Sequence, residues 1–483
     1  LNFKIAHQDA LIISGGRCLI ATFTLLSITV ATSNLKPAEY GIFSILTTLH
    51  MLFGYFLINP VGQHINKNTH NWIDDGTLIS RLRHFKIYIF SVSIAGALIT
   101  STWYITQNAT PIEIVVNSAS VSVMIIFASW NATLIYILNM AGKRVKAILW
   151  SGATTICGLA FSYTLVRIYQ SGTCWFVGQS IGMAIGALGA LGAVRSLREN
   201  WTTLRQSLVT RISLTKYILP LSLSTGLIWT LTSGYRLLIE HNWGLAELGN
   251  ITVGLVISAQ FWHFFESIGM QLLYPYYFKS LAIESKNEAS QAHSDILNTL
   301  GPIFLVLLSF SITSSAQIKH LFVSSAYTDI LHFMIFGAVC EAIKAISNTI
   351  SLGAQVRYNI TSLIMPYAAG SITLFAGIHV SSAMAADAKH AVFFILPANL
   401  VILGVMSWKI SRILKIELDG ARWILGILIV SISVLFFEKL IPNTFFESIA
   451  YLAISVLIHF LFGATMLWNN KNLLRLTSQR LSH

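Results

Sequence analysis

Charged residues are scarce in this chain. Asp, Glu, Lys and Arg make up 10% of its 483 residues, where a soluble globular chain carries about a quarter. That deficit excludes an ordinary solvated surface. Connections long enough to fold as a soluble domain are also missing, which argues against a membrane polysaccharide polymerase or ligase with a large external loop. The four cysteines, Cys18, Cys157, Cys174 and Cys340, form no CxxC pair and show no metal-ligand spacing; they read as small packing residues. There is no GxxxxGK[ST] loop, no HExxH and no His/Asp/Glu cluster, so neither a built-in ATPase, nor a metal site, nor a cofactor is expected. No Ser/His/Asp set assembles on one face. The chain does not read as an enzyme, and any work it does must draw on ion or substrate gradients.

What is present is apolar sequence. The hydrophobic set accounts for 54% of residues, arranged in recurrent runs of roughly 18 to 25, each able to cross about 30 Å of hydrocarbon as a helix. Lipid cannot satisfy the open backbone of a loop or sheet edge, so the spans must be helical. A barrel would alternate polar and apolar over roughly ten residues, and these runs do not. The expectation is an all-α polytopic membrane protein with fourteen spans near 10–32, 41–65, 85–107, 112–138, 147–168, 173–194, 217–240, 248–272, 297–315, 329–352, 360–380, 388–408, 424–441 and 446–467. The first lacks a basic leader and a small-residue cleavage site, so it reads as a retained helix and not a signal peptide.

A net charge of +12 invites a nucleic-acid reading, but its distribution opposes one. When the connections are assigned to alternate sides, 23 of the 31 Lys and Arg fall on the side of the N-terminus. Lys36, Arg167, Lys319, Lys389 and Lys439 fall on the other, and Arg17, Arg236 and Lys344 lie within spans. This is the positive-inside pattern, which places both termini in the cytoplasm. Basic loops beside anionic headgroups account for the charge.

An internal repeat organises the spans. Ala38-Glu39-Tyr40-Gly41 leads into the second span and Ala246-Glu247-Leu248-Gly249 into the eighth, 208 residues later. The turn starting Met140-Ala141-Gly142-Lys143-Arg144 after the fourth span is matched by Leu352-Gly353-Ala354-Gln355-Val356-Arg357 after the tenth, 212 residues later. Six spans separate each pair, so the halves share an orientation. The expected organisation is two parallel six-helix lobes around a central cavity, 1–200 and 201–415, with two additional helices and a tail in 416–483.

The segment Leu35-Lys36-Pro37-Ala38-Glu39-Tyr40-Gly41 resembles the L-x-P-x-E-[YF]-G found between the first two helices of polysaccharide and O-antigen flippases of the multidrug/oligosaccharidyl-lipid/polysaccharide (MOP) exporter superfamily. The Gly142-Lys143-Arg144 turn resembles a second feature of that family. The resemblance implies a flippase of the bacterial inner membrane that moves an undecaprenyl-pyrophosphate-linked oligosaccharide, an O-antigen or capsule unit, from the cytoplasmic to the periplasmic leaflet by alternating access. It implies membrane lipids, a coupling proton or sodium ion and other polysaccharide-assembly membrane proteins as partners, and no nucleic acid. The alternative in the same superfamily is a cation-coupled multidrug exporter, which would favour an acidic cavity. The spans hold three bases against Glu266 and Glu341, a lean toward an anionic cargo. The motif itself has a structural reading: Pro37 in a first helical turn, Glu39 near a helix N-terminus and Gly41 at a close helix contact.

Charges inside a span are costly and usually face a cavity or a partner. Arg17, beside Gly15 and Gly16, is a candidate phosphate ligand, because a guanidinium offers a planar fork of donors; snorkelling or pairing with an acid is the other reading. Lys344 either meets substrate or is compensated by Glu341 three residues away. Arg236 either receives phosphate or snorkels and pairs with Glu240. Glu266 and His263 share a helix face and suit a coupling proton or cation, unless Glu266 pairs with Arg17 or Lys344. Asn59 and Gln63 flank Pro60; they line the cavity or satisfy the carbonyls that the proline frees.

Overall fold

A computed structural model describes residues 3–196, 211–281, 286–355, 360–468 and 470–471. Among these there is no β-strand. The helices are α1 (Phe3–Asn34), α2 (Pro37–Phe53), α3 (Asn59–Asp74), α4 (Leu78–Thr106), α5 (Pro111–Met140), α6 (Arg144–Ile168), α7 (Gly172–Arg195), α8 (Arg211–Trp229), α9 (Tyr235–Leu281), α10 (Lys286–Phe322), α11 (Ile330–Gln355), α12 (Ile364–Ala383), α13 (Ala388–Phe393), α14 (Ile395–Ser411), α15 (Gly420–Phe436) and α16 (Phe445–Leu467). A π-helical turn, Gly54–Ile58, joins α2 to α3, and another, Thr230–Gly234, joins α8 to α9.

Local chemistry sets several boundaries. Pro37 and Pro111 open α2 and α5, where their missing N–H costs nothing. Thr110 with Glu113 and Thr444 with Glu447 form capping boxes that start α5 and α16. Gly142, at φ 74°, turns the chain between α5 and α6 in a conformation that a Cβ would strain.

Eleven helical segments are long and apolar enough to cross a membrane. One of them, Ile218–Ser267, has 50 residues, about 75 Å of helix, and it is broken at Gly244, where φ is 86° and ψ 171°. The break divides it into two apolar helical segments. With the shorter apolar helices Cys18–Asn34 and Gly420–Phe436, the described residues provide fourteen apolar helical segments, and each overlaps an expected span. The chain is an all-α polytopic membrane protein. Several helices outrun their predicted ends: α3 continues to Asp74 and α10 begins at Lys286. Hydropathy stops at the edge of the hydrocarbon, whereas a polar helix does not.

The chain divides into two compact units, Leu1–Gly249 and Asn250–His483. In the first, α7 packs against α6, α5 and α2, with α4 on α5 and α1 on α6. Gly178, Gly182 and Gly186 make the α6–α7 seam: a Cβ on Gly178 would lie 2.3 Å from Ser162 Cα, and one on Gly182 2.4 Å from Gly158 Cα. Small residues at this spacing let membrane helices approach closely.

The two repeated motifs lie against each other within this unit. A Cβ on Gly41 would stand 2.2 Å from the Leu245 carbonyl oxygen, and one on Gly249 1.9 Å from the Pro37 oxygen. Pro37 and Gly41 occupy the motif positions of Leu245 and Gly249, so the contact is reciprocal. Glu39 serves a different helix from the expected one: its Oε2 accepts the Gly172 N–H at 2.8 Å and caps α7.

In the second unit α10 is the centre, flanked by α11, α15 and α16; 83% of its apolar window is buried, against 11% for α16. The last two helices dock on α10 through polar groups. Ser309 Oγ bonds His459 Nε2 at 2.7 Å and meets Ser433 Oγ, Thr313 and Ser314 meet Ser455 at 3.0 Å, and Ser448 bonds His320 at 2.9 Å. The segment leading into α15 is held by a second polar stripe on α10. Ser290, Ser294 and Asn298 accept the backbone N–H groups of Lys415, Glu417 and Asp419 at 3.2, 3.0 and 2.9 Å. Four helical residues rise about 6 Å and two extended residues about 6.6 Å, so the two periods run in step.

Candidate functional site

In the first unit, the site is built around the two π-helical turns. A π turn leaves carbonyls without their usual helical donors, and such turns occur often at functional sites. In the first turn, Gly54–Ile58, two carbonyls are taken by neighbouring helices. Thr225 Oγ1 donates to Tyr55 O at 2.6 Å, and Tyr88 OH donates to Leu57 O at 2.8 Å. Trp229 Nε1 donates to Thr48 O at 3.0 Å. The indole also meets Phe56 edge-on, with ring centres 6.3 Å apart. These contacts pin α8 to α2 and fix the direction in which α9 begins.

Arg236 is the second residue of α9. Its side chain retains 9% of its exposure, and Nε has no hydrogen-bond partner. Glu240, one turn on, has Oε2 buried and likewise without a partner. The expected Arg236–Glu240 ion pair is not formed: it is absent from the pairs among the described residues, which are His263–Glu266, His332–Asp329, Lys344–Glu341, Lys389–Asp329, Lys415–Glu417 and Arg422–Asp419. An arginine placed before a glutamate at i,i+4 is the less favourable order. Arg236 sits near enough to the buried Tyr40 hydroxyl to act on it electrostatically, and Glu240 acts on Tyr104 in the same way.

Asn59 and Gln63 lie just beyond the first π turn, and Gln63 Nε2 donates to Asn59 Oδ1 at 3.4 Å. They cap none of the freed carbonyls at Tyr55 and Leu57, a task that Thr225 and Tyr88 perform. Arg17 lies on α1, but its side chain is outside the described residues.

In the second unit, α9 and α11 bring four expected residues together. Glu266 Oε1 accepts from Asn348 Nδ2 at 3.0 Å, and its Oε2 lies 3.9 Å from His263 Nδ1. Lys344 Nζ reaches both oxygens of Glu341, at 3.1 and 3.0 Å, so local compensation holds at that lysine. Lys344 and Glu341 act electrostatically on His263, and Lys344 and Glu266 act on Tyr367 of α12. The cluster can hold a proton or polarise a bound cation. Among the described residues no group of three or more His, Cys, Asp or Glu is placed to hold a metal ion.

Sequence reasoning missed Asn348, Tyr367 and Tyr104, and placed Tyr40 only within the motif that opens the second span. Asn348 follows Lys344 by four residues and Glu341 by seven, so the helical period alone places it on their face. The tyrosines carry no comparable signal.

No family model matches the chain, and no curated protein matches its sequence. Solved structures do match its fold. Lipid II flippase MurJ in an inward closed conformation aligns at 11% identity with a TM-score of 0.68, covering 95% of this chain and 98% of that one. The eukaryotic MATE transporter AtDTX14 aligns at 12% identity and a TM-score of 0.54, covering 90% and 100%. A MOP superfamily transporter from Pyrococcus furiosus, described by the reverse polarity of its binding pocket, aligns at 14% identity and a TM-score of 0.54, covering 88% and 96%. At these identities it is the fold that is shared, along nearly the whole length of each chain.

Proposed function

We propose that this chain is a membrane transporter of the MOP type that moves a lipid-linked, anionic oligosaccharide between leaflets by alternating access, with no chemical step of its own. The observation that carries the anionic cargo is Arg236, a residue nine-tenths buried whose guanidinium has no carboxylate partner. A buried unpaired charge costs several kcal/mol, and a phosphate, which accepts from the guanidinium fork, removes that cost. The likeness in fold to a lipid II flippase supports the lipid-linked class. On this reading the cargo is an undecaprenyl-pyrophosphate-linked O-antigen or capsule unit, the membrane is the bacterial inner membrane with both termini cytoplasmic, Arg17 supplies a further donor, and Asn59 and Gln63 line the path.

A second reading, a cation-coupled multidrug exporter, is favoured by the other unit. There two carboxylates, Glu266 and Glu341, gather around one lysine and one histidine, and MATE transporters share the fold. Proteoliposomes separate the two. With a fluorescent undecaprenyl-pyrophosphate oligosaccharide, the fraction reaching the outer leaflet should rise with protein, fall about tenfold or more in Arg236→Ala, and recover in part in Arg236→Lys. Export of a cationic dye with no movement of the lipid would reject the proposal and leave the second reading.

A further inference from the structure

The lone arginine of α9 has a lone carboxylate beside it. Arg236 Nε and Glu240 Oε2 are both buried and both without a hydrogen-bond partner, one helical turn apart on one face. Each alone is expensive, yet they do not satisfy each other. A ligand that ends both vacant valences must present an anion at one point and a hydrogen-bond donor about 6 Å away, the rise of four helical residues. Two tyrosines, Tyr40 of α2 and Tyr104 of α4, lie within electrostatic reach of the two charges.

We propose that Arg236 and Glu240 form a two-point site for a glycosyl phosphate, in which Arg236 takes a phosphoryl oxygen and the Glu240 carboxylate accepts a hydrogen bond from a hydroxyl of the adjoining sugar. This assignment rests on the flippase reading and extends it. Arg236 senses the charge common to every lipid pyrophosphate, while Glu240 senses whether a sugar is attached. The second point makes the carrier move the glycosylated lipid faster than the bare one, because a carboxylate that lacks its hydroxyl donor is left unmatched.

The test compares two cargoes in proteoliposomes of the full chain: undecaprenyl pyrophosphate bearing an oligosaccharide and undecaprenyl pyrophosphate without one. Glu240→Gln keeps the shape and removes the charge. It should lower transport of the glycosylated lipid by about 10- to 100-fold, the range of a hydrogen bond to a charged group, and leave the bare lipid within about twofold. Glu240→Asp, which keeps the acceptor, should recover part of the loss. Arg236→Ala should impair both lipids.

Equal loss of both lipids in a well-folded Glu240→Gln variant would make Glu240 a structural residue and overturn the assignment. So would unchanged transport of both. Phosphoethanolamine also pairs an anion with a donor. If it competes with transport while glucose 1-phosphate does not, the site is a phospholipid headgroup site and the sugar assignment falls. A wild-type protein that moves neither lipid would overturn the flippase reading itself, a result distinct from a loss confined to Glu240 variants.

Discussion

Alanine at Gly41 or Gly249 tests the reciprocal contact between the two repeated motifs. The Cβ of Gly249→Ala would stand 1.9 Å from the Pro37 oxygen and that of Gly41→Ala 2.2 Å from the Leu245 oxygen, where ordinary contact begins near 3.4 Å. Both obstructions are backbone carbonyls in first helical turns, which cannot swing aside as a side chain can, so the two turns must part by about 1 Å or more. Overpacking of this kind costs about 1–3 kcal/mol. Gly192 and Gly463 are matched controls, since a Cβ at either meets nothing within 4 Å; alanine there should be neutral or add up to about 1 kcal/mol through helix propensity. The assay is thermal loss of helical circular dichroism in one detergent, with all four variants beside wild type. Gly41→Ala and Gly249→Ala should unfold earlier and the controls at or above the wild-type temperature. The double variant should lose less than the sum of the singles, because one separation accommodates both methyl groups. Test and control variants melting together would refute the close approach.

The remaining predictions concern the second unit. Asn298 satisfies Glu417 O, Asp419 N and Trp423 Nε1, so Asn298→Ala should free the segment before α15 at a cost of about 1–3 kcal/mol for each buried group left unmet. Trypsin should then cut after the exposed Lys415 much faster than in wild type, and equal cleavage rates would show that the segment is held elsewhere. Asp329, in the connection between α10 and α11, is bonded to Lys389 at 2.6 Å, and that hydrogen bond holds its carboxyl below the usual range. A lowered folded-state pKa contributes stability above the unfolded value near 4 and loses it as pH falls through the folded value. The stability difference between wild type and Asp329→Asn should therefore be flat from about pH 5 to 8 and shrink below about pH 4; a difference that grows with acid would contradict the pairing. Both groups are largely exposed, so the effect is small.

The spans were legible because lipid imposes a single rule on every apolar run. Pro37, read as a first-turn proline, marked the start of α2 in the same way. The site was legible only where chemistry is local in sequence. Glu341 with Lys344, and His263 with Glu266, lie three residues apart, and the helical period brings each pair together. The π turns left no such mark. The first is held by Thr225 and Tyr88, distant in sequence from the carbonyls they satisfy, and only Pro60, which frees carbonyls without saying what takes them, points to it. The reading that pairs Arg236 with Glu240, one of two open for that residue, used spacing without direction. Side chains lean toward the helix N-terminus, so order matters as much as distance, and the arginine comes first.

The repeat carries packing but not charge. At the 208-residue offset, Gly41 falls on Gly249, and both serve the same close contact. At that offset Arg236 falls on Ile28, Glu266 on Ile58 and Arg17 on Thr225. At the 212-residue offset of the second match, Glu341 falls on Ser129 and Lys344 on Ala132. None of these in-membrane charges has an ionisable counterpart. A reciprocal contact needs the same small residue on both sides, so the repeat preserves it. A charge in hydrocarbon costs about 2.5–3.5 kcal/mol near a span centre, and duplicating it would double that cost without a second ligand to offset it. The departures from the repeat are therefore the places to look for function. They separate into an unpaired base with an unpaired acid in the first unit and a compensated cluster in the second, the arrangement expected if one unit reads the cargo and the other carries the coupling ion.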